Sequence, residues 1–241
     1  MTIEIVAVPA FETNYIWLLH DRVSDKTVVV DPGQAEPVLD FIQKKGWEVT
    51  QIWNTHWHND HTGGNEVIKA ETGCDVIGPS HESHPIPAID IKVDEGDEIR
   101  LGSLVAKVMA IPAHTLGHVA YYIPDHHVLF CGDTLFAMGC GRIFEGTAEQ
   151  MWQALQRFAA LPPETKVYCG HEYTQDNGHF ALTVDPDNQA LQKRVKEVDL
   201  LRAQGKITLP TTIALEKATN PFMRAKNPEE LAKLRKAKDI F

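Results

Sequence analysis

This chain has little cysteine, no long apolar run and a shortage of positive charge, and each lack excludes a class of protein. Its four cysteines form no C-x-x-C pair in 241 residues, which argues against a disulfide-stapled secreted domain and indicates free thiols. No apolar run approaches membrane-spanning length, and the first residues lack the basic start of a signal peptide. We therefore expect a cytoplasmic protein that does not act at a membrane.

Charge is distributed unevenly along the chain. The net charge of −10 argues against a general binder of nucleic acid or anionic membranes. Residues 221–241 differ, because six basic side chains stand there against three acidic ones, a local charge of +3. Such a basic end suits a small anionic ligand, although a solvated helix face would look the same.

Strand and helix patterns divide the chain near residue 172. Up to that point short strand-like runs alternate with amphipathic helices, whereas only helical patterns follow it, which indicates an α/β domain with a small helical addition. We expect domains at 1–172 and 173–241. The predicted strands include Ile3–Val8, Tyr15–Leu19, Thr27–Val30, 48–55, 74–78, 97–101, 104–111, 118–124, 127–132 and Val167–Cys169, and the predicted helices are Ala35–Lys45, 65–72, 148–160, 195–203 and 229–237.

A metal-ligand cluster lies between a predicted strand and the helix after it. The stretch Thr55–Gly64 contains four ligand-type side chains within six residues: His56, His58, Asp60 and His61. Extended backbone would place His56 and His58 on one face, and the turn that follows redirects the other two. One tetrahedral ion does not need four ligands from so short a loop, so the cluster favours two neighbouring ions.

Further ligand candidates follow other predicted strands. His114 and His118 stand after one strand, Asp133 after another and His171 after a third. Loops at the ends of strands commonly carry binding and catalytic residues. Singly, each of these side chains is more often a turn or core residue than a ligand, and together with the cluster at 56–61 they favour a metal site. Residue type alone does not decide between His114 and His118.

The motif T-H-W-H-N-D-H-T-G-G resembles the H-x-H-x-D-H signature of the metallo-β-lactamase superfamily. Within it the chain is similar to glyoxalase II, the hydroxyacylglutathione hydrolases. The likeness spans nearly the whole chain, and the two segments near the C-terminus narrow it to that family. The matching segments are His114–His118, Phe130–Phe136, Gly139–Thr147, His171–Thr174, Asn220–Arg224 and Arg235–Asp239.

The resemblance implies an α+β fold, an αββα sandwich followed by a small helical C-terminal domain. It also implies two divalent metal ions per chain, with zinc expected and iron or manganese as alternatives. One ion would be held by His56, His58 and His114, the other by Asp60, His61 and His171, with Asp133 bridging them. His118 then becomes a packing neighbour or supports a ligand, and Asp31 either orients a ligand or is a plain turn residue.

The implied reaction is hydrolysis of S-D-lactoylglutathione and related 2-hydroxyacyl thioesters to glutathione and D-lactate or the corresponding acid, the second step of methylglyoxal detoxification. We expect the protein to be a monomer. A bridging hydroxide would attack the carbonyl, with Asp60 and Asp133 as the catalytic carboxylates. The resemblance assigns substrate contacts to Arg142, Phe144, His171, Tyr173, Arg235 and Lys238. Eukaryotic members carry Lys and Tyr where this chain has Arg142 and Phe144, so the glutathione contacts are expected to differ there.

Three other functions fit parts of the pattern. A glutathione persulfide dioxygenase would share the fold and use one iron with fewer ligands, and the complete second ligand set argues against it. A β-lactamase or lactonase has closer chemistry, but the missing export signal and the helical extension argue against a β-lactamase. A non-catalytic metal-binding module would not need a basic segment beside an open two-metal site.

Overall fold

The computed structural model describes residues 2–241, which form two compact units. The first unit runs through Ala110 and takes in Leu116–His126, and the second consists of Ile111–Thr115 and His127–Phe241. The division near residue 172 follows secondary-structure content rather than contacts, and it stays a prediction. No helix within residues 2–241 is both long enough and apolar enough to cross a membrane.

A six-stranded mixed sheet forms the core of the first unit. Its strands lie in chain order, the first three antiparallel and the last four, from β3 onward, parallel to one another. Every residue of β2 is buried, as expected for an inner strand covered on both faces. The strands are β1 (Ile3–Ala10), β2 (Asn14–Asp21), β3 (Lys26–Val30), β4 (Glu48–Trp53), β5 (Asp75–Pro79) and β6 (Ile91–Val93).

Two helices make the first two of the three crossovers between the parallel strands. Helix α1 (Glu36–Lys45) connects β3 to β4, and α3 (Asn65–Thr72) connects β4 to β5, with the short α2 (Asn59–Thr62) just before it. Gly46 ends α1 and Gly73 ends α3, and both adopt the left-handed conformation that only glycine takes at little cost. The first unit is completed by an antiparallel meander of β7 (Glu98–Leu101), β8 (Leu104–Ala110) and β9 (Val119–Ile123).

The second unit combines a few strands with five helices. Strand β10 (Val128–Gly132) pairs in parallel with β13 (Lys166–Cys169), which pairs antiparallel with the short β14 (Thr211–Thr212). Between them lie the hairpin of β11 (Leu135–Phe136) and β12 (Gly139–Cys140) and helix α4 (Ala148–Ala159). The remaining helices are α5 (Thr174–Val184), α6 (Gln189–Ala203), α7 (Ile213–Thr219) and α8 (Pro228–Asp239).

The C-terminal helices are bonded to the β11–β12 hairpin. Asn220 donates from Nδ2 to the carbonyl oxygens of Phe136 at 3.2 Å and Gly139 at 2.9 Å. Glu216 accepts the backbone N–H of Met138 at 2.8 Å, and Arg194 donates to the other Glu216 oxygen at 2.6 Å. All these groups are buried, so the hairpin's backbone is satisfied by side chains of the helical segment.

The α+β class with a helical C-terminal region is confirmed. Most strand and helix predictions lie within two residues of the observed elements. The sequence predictions started α6 six residues late, and they lack two further helices, α5 and α7, and the short elements α2, β6, β11, β12 and β14. His20 is buried: its ring stacks on Trp47 at 4.4 Å, and Thr27 Oγ1 lies 3.0 Å from its Nδ1.

Candidate metal centre

In the first unit, two parallel strands deliver the ligand cluster to one edge of the sheet. Val30 and Trp53 are partners at the carboxyl ends of β3 and β4. The next residues, Asp31 and the segment 54–56, therefore emerge side by side, as expected where parallel strands end together. The chain then turns through α2, which carries Asp60 and His61 back towards the strand ends.

The side chains of this loop converge. His56 Nε2 lies 3.1 Å from His58 Nδ1, and His61 Nε2 lies 3.5 Å from Asp60 Oδ2. The rings of His56 and His61 have centroids 4.2 Å apart. Asp31 joins them: one ligand atom each from Asp31, His56 and His61 fall within 4.8 Å of one another, and all three residues are buried. The four residues of the motif are thus brought together.

Two residues far away in sequence hold this loop. Asn14 donates from Nδ2 to Asp60 Oδ2 at 2.9 Å, which orients that half-exposed carboxylate. Glu82, which is buried, accepts the backbone N–H of Trp57 at 2.9 Å and that of Gly117 at 2.7 Å. A buried carboxylate that accepts two backbone N–H groups fixes both segments in place.

The imidazole ring of His118 packs flat against one ring of the ligand cluster. Its ring stacks on that of His56, with centroids 4.6 Å apart and planes 12° from parallel. Its Nδ1 is 3.1 Å from the carbonyl oxygen of Val119. This packing is the role that the family resemblance leaves to His118.

In the second unit, another pair of parallel strands places Asp133 and His171 at one edge of the sheet. Gly132 at the end of β10 is paired with Cys169 at the end of β13, so the loops that follow leave the same edge. Asp133 Oδ2 lies 3.2 Å from His171 Nε2 and 3.6 Å from His114 Nε2. One carboxylate oxygen thus stands near the outward nitrogen of both imidazoles.

His114 is tied to the segment predicted to contact substrate. Its Nδ1 donates to the carbonyl oxygen of Arg142 at 2.8 Å, which leaves Nε2 as the basic nitrogen facing Asp133. The ring of Phe144 packs 5.2 Å from that of His114, with 60% of Phe144 exposed. Gly146 donates its N–H to the Ala113 carbonyl at 3.0 Å, so the two loops run together.

The spacing of the donor atoms in each unit fits divalent ions. Two nitrogen or oxygen ligands that bind one tetrahedral ion at about 2.1 Å lie about 3.4 Å from each other. The four pairs measured above are separated by 3.1, 3.5, 3.2 and 3.6 Å. Imidazole nitrogens and carboxylate oxygens are also ligands that zinc, iron and manganese accept. The residues in both units therefore suit such ions.

The other predicted substrate contacts differ in accessibility. Tyr173 is 37% exposed, and its ring stacks on His171 with planes 1° from parallel. Arg235 is 7% exposed, with Nη1 donating to the Cys140 carbonyl and Nε to Asp239. Lys238 pairs with Asp176, its ammonium 5.7 Å from the centre of the Phe180 ring.

Sequence reasoning missed Asn14 and Glu82, which orient the ligand loop. Nothing local to either residue marks it. Asn14 begins an inner strand and acts 46 positions away on Asp60, while Glu82 lies in a single 3₁₀ turn and acts 25 and 35 positions away. Only the folded chain shows these contacts.

Two family models match adjacent parts of the chain, which together run from residue 11 to residue 241. Residues 11–171 match the model described as the metallo-β-lactamase superfamily, and residues 172–241 match that described as the hydroxyacylglutathione hydrolase C-terminus.

Similar proteins and structures agree with those matches. A hydroxyacylglutathione hydrolase of Methylococcus capsulatus is 51% identical, over 96% of this chain and 91% of that protein. The structure of ETHE1 from Myxococcus xanthus has a TM-score of 0.72 at 27% identity, covering 98% of this chain and 90% of that one. The BLEG-1 B3 metallo-β-lactamase, 21% identical, has a TM-score of 0.70 over 92% and 99% of the two chains. These neighbours confirm the fold expected from the resemblance.

Proposed function

Because the chain belongs to the hydroxyacylglutathione hydrolase family of the metallo-β-lactamase superfamily, we propose that it hydrolyses S-D-lactoylglutathione and related 2-hydroxyacyl thioesters of glutathione. The products are glutathione and the hydroxy acid. The observation that carries this proposal is the 51% identity to a hydroxyacylglutathione hydrolase along 96% of the chain. The ligand groups described in both units support the proposal, because they suit the divalent ions that this reaction would use.

We assign the metal ligands as the sequence predicts. His56, His58 and His114 would hold one ion, Asp60, His61 and His171 the other, and Asp133 both. The spacing of the donor atoms within each unit supports this set. A carboxylate has two oxygens and can serve two cations, whereas a neutral ring offers one lone pair. Zinc is the metal we propose, with iron and manganese as alternatives that accept the same donors.

Bound divalent ions supply Lewis acidity, which lowers the pKa of water and polarises the thioester carbonyl. The chain's own residues prepare the reactants. Asn14 holds the half-exposed Asp60 carboxylate in one orientation, so that it can accept a hydrogen bond from the attacking hydroxide and orient it. A glutathione thiolate, with an ordinary thiol pKa of about 8.5, leaves as an anion without a dedicated acid.

We propose that glutathione lies along the segment from Arg142 to Phe144. The Arg142 side chain is 65% exposed, and its Nε lies 3.9 Å from the Asp239 oxygen to which Arg235 also donates. A substrate carboxylate would compete with Asp239 for Arg142. Arg235 and Lys238 complete the charged group, and Tyr173 presents its hydroxyl from the ring stacked on His171, itself assigned to substrate contact.

The alternative is an oxidoreductase similar to glutathione persulfide dioxygenases. The C-terminal family match over residues 172–241 and the name of the 51% identical relative favour the hydrolase. The two activities separate in a direct assay. Metal-analysed protein should hydrolyse S-D-lactoylglutathione much faster than a thioester without glutathione, and should take up no oxygen with glutathione persulfide. Oxygen uptake without thioester hydrolysis would reverse the assignment.

The remaining sequence predictions have narrower support. The four cysteines are free, in keeping with the proposed cytoplasmic location. The charge of −10 supports the proposal that nucleic acid is not a partner. The monomeric state stays a prediction.

A further inference from the structure

A buried carboxylate lies behind the ligand loop of the first unit. Asp31 follows β3 with a φ of 52°, in the left-handed region where Asp and Asn are the best tolerated side chains after glycine. It is 4% exposed, and its Oδ1 accepts the backbone N–H of Thr55 at 2.7 Å. Its Oδ2 faces two further groups, the Thr55 hydroxyl at 2.7 Å and His61 Nδ1 at 3.2 Å.

The Thr55 hydroxyl connects Asp31 to a second imidazole. Thr55 Oγ1 is also 3.0 Å from His56 Nδ1. A hydroxyl has one proton, and an ionised carboxylate can only accept. Thr55 therefore donates to Asp31 and must accept from His56, which requires His56 to carry its proton on Nδ1. Its Nε2, which faces His58, is left with the lone pair that a metal needs.

The contact between Asp31 and His61 favours a proton on Nδ1 of the His61 ring too, and here no hydroxyl stands between them. An unprotonated nitrogen 3.2 Å from a carboxylate oxygen would bring two lone pairs together, whereas Nδ1–H is attracted to it. His61 Nε2, on the side of Asp60, then has the lone pair. One carboxylate thus acts on His61 through space and on His56 through the Thr55 hydroxyl.

We propose that Asp31 is a positioning residue that sets the tautomer of one ligand in each of the two metal sites. The inference rests on the proposed function only for the assignment of His56 and His61 to different ions. Imidazole ligands in metal sites depend on the groups that face their second ring nitrogen, whose loss typically weakens metal binding about 10–100-fold. Here a single carboxylate serves both sites, with Thr55 needed for only one.

Three substitutions separate the two arms of this network, the direct contact of Asp31 with His61 and its contact with His56 through Thr55. Asp31→Asn keeps the left-handed backbone but places an NH₂ donor where an acceptor stood, so it disturbs both rings. Thr55→Val has nearly the same shape and removes only the connection to His56. Thr55→Ser keeps the hydroxyl and is the matched control.

The experiment measures zinc dissociation constants of the full-length protein by competition with a chromophoric chelator. Thr55→Val should weaken one of two zinc sites about 10–100-fold and leave the other within about twofold, Asp31→Asn should weaken both, and Thr55→Ser should match the parent. Ring ¹⁵N spectra of the zinc-loaded proteins should show the His56 signal shifted in Thr55→Val, and both the His56 and His61 signals shifted in Asp31→Asn. Unchanged affinities, or equal losses at both sites in Thr55→Val, would overturn the proposal.

Failure of this inference is distinct from failure of the proposed function. If the parent protein hydrolyses no thioester but the zinc affinities follow the stated pattern, the positioning role stands and the substrate assignment falls. If the parent is an active thioesterase and the variants bind zinc as it does, the positioning role falls. Should Asp31→Asn not fold, the comparison of Thr55→Val with Thr55→Ser still decides the His56 arm.

Discussion

Arg235 donates a 2.7 Å hydrogen bond from Nη1 to the carbonyl oxygen of Cys140, a residue 95 positions earlier. The same guanidinium donates to Asp239 and lies 5.3 Å from the centre of the Phe222 ring. The residue that the sequence marked only as an anion binder is therefore also a buried support for the strand β12 and the segment that follows it.

We expect Arg235→Ala to lower the free energy of unfolding by about 2–3 kcal/mol, because a buried carbonyl loses its charged donor. Lys236→Ala, an exposed neighbour on the same helix, is the matched control and should change stability by less than about 0.5 kcal/mol. Urea denaturation measures both.

The double variant Arg235→Ala with Lys238→Ala should raise KM for S-D-lactoylglutathione more than it lowers kcat, because both side chains are proposed to bind the substrate. The assay is run at a temperature where the double variant stays folded. An unchanged KM would reject their role in substrate binding.

Asp133→Asn should reduce metal content and thioesterase activity together. The Oδ2 atom of Asp133 is the group near both His114 and His171, and an amide in its place has one neutral acceptor and a donor. Asp125→Asn removes the same charge from an exposed position and should leave both quantities unchanged. Elemental analysis alongside the assay tests this, and a fully loaded, active Asp133→Asn protein would remove Asp133 from the metal site.

Glu82→Gln should destabilise the protein by about 1–3 kcal/mol, since one of the two backbone N–H groups that Glu82 accepts, of which that of Gly117 is buried, would face an NH₂ instead of an oxygen. The bonds from Trp57 and Gly117 to Glu82 hold the chain next to the ligand residues, and Trp57 lies between His56 and His58. Losing one of these bonds should therefore lower the zinc affinity as well. Glu71→Gln, an exposed position, serves as the control in thermal unfolding and chelator competition. Wild-type stability in Glu82→Gln would show that the carboxylate is not needed.

The cysteines should resist thiol reagents in the native protein. Burial raises the pKa of the Cys140 thiol from 9.0 to about 11, against a smaller lowering by Arg235, and burial likewise raises the pKa of Cys74, Cys131 and Cys169. At about pH 8 only about one Cys140 in a thousand is a thiolate. An aromatic disulfide reagent should label all four thiols in urea and almost none without it.

The same pKa of Cys140 predicts how stability changes at alkaline pH. Between about pH 9 and 11 the unfolded chain releases the thiol proton while the native protein keeps it, so the free energy of unfolding falls as pH rises. At about pH 10 this thiol alone accounts for about 1 kcal/mol of that loss. Cys140→Ala should therefore lose stability less steeply than the parent between about pH 8 and 10. Parallel urea midpoints would contradict this.

Local pattern and spacing predicted most of what is local in this protein. Alternation and end signals located β1 to β5 and helices α1 and α3, and the ligand motif was visible because its four members lie within six residues. Helices α5 and α7 were missed because their buried residues do not repeat along one clear apolar face. For α5 the buried set includes Thr174, Asn177 and Gly178, which a hydrophobic pattern does not register.

Long-range contacts could not be predicted from the sequence. Asn14 and Glu82 act on the ligand loop only because the fold brings them there, and the burial of Arg235 depends on Cys140 and Phe222. A basic residue near the end of a chain is expected to be solvated, because no neighbouring residue in the sequence indicates the carbonyl group and the ring that it contacts. The resemblance to a family supplied residue roles, but not these supports.

The bonds from Asn220 and Glu216 to the β11–β12 hairpin limit how this enzyme can be cut or recombined. A chain that stops at residue 172 would strip the Phe136 and Gly139 carbonyls and the Met138 N–H of those partners, just beyond Asp133. The helical segment is therefore not a detachable module. Chimaeras between relatives should exchange residues 134–140 together with the C-terminal helices, and a premature stop codon should abolish folding of the hairpin rather than merely weaken substrate binding.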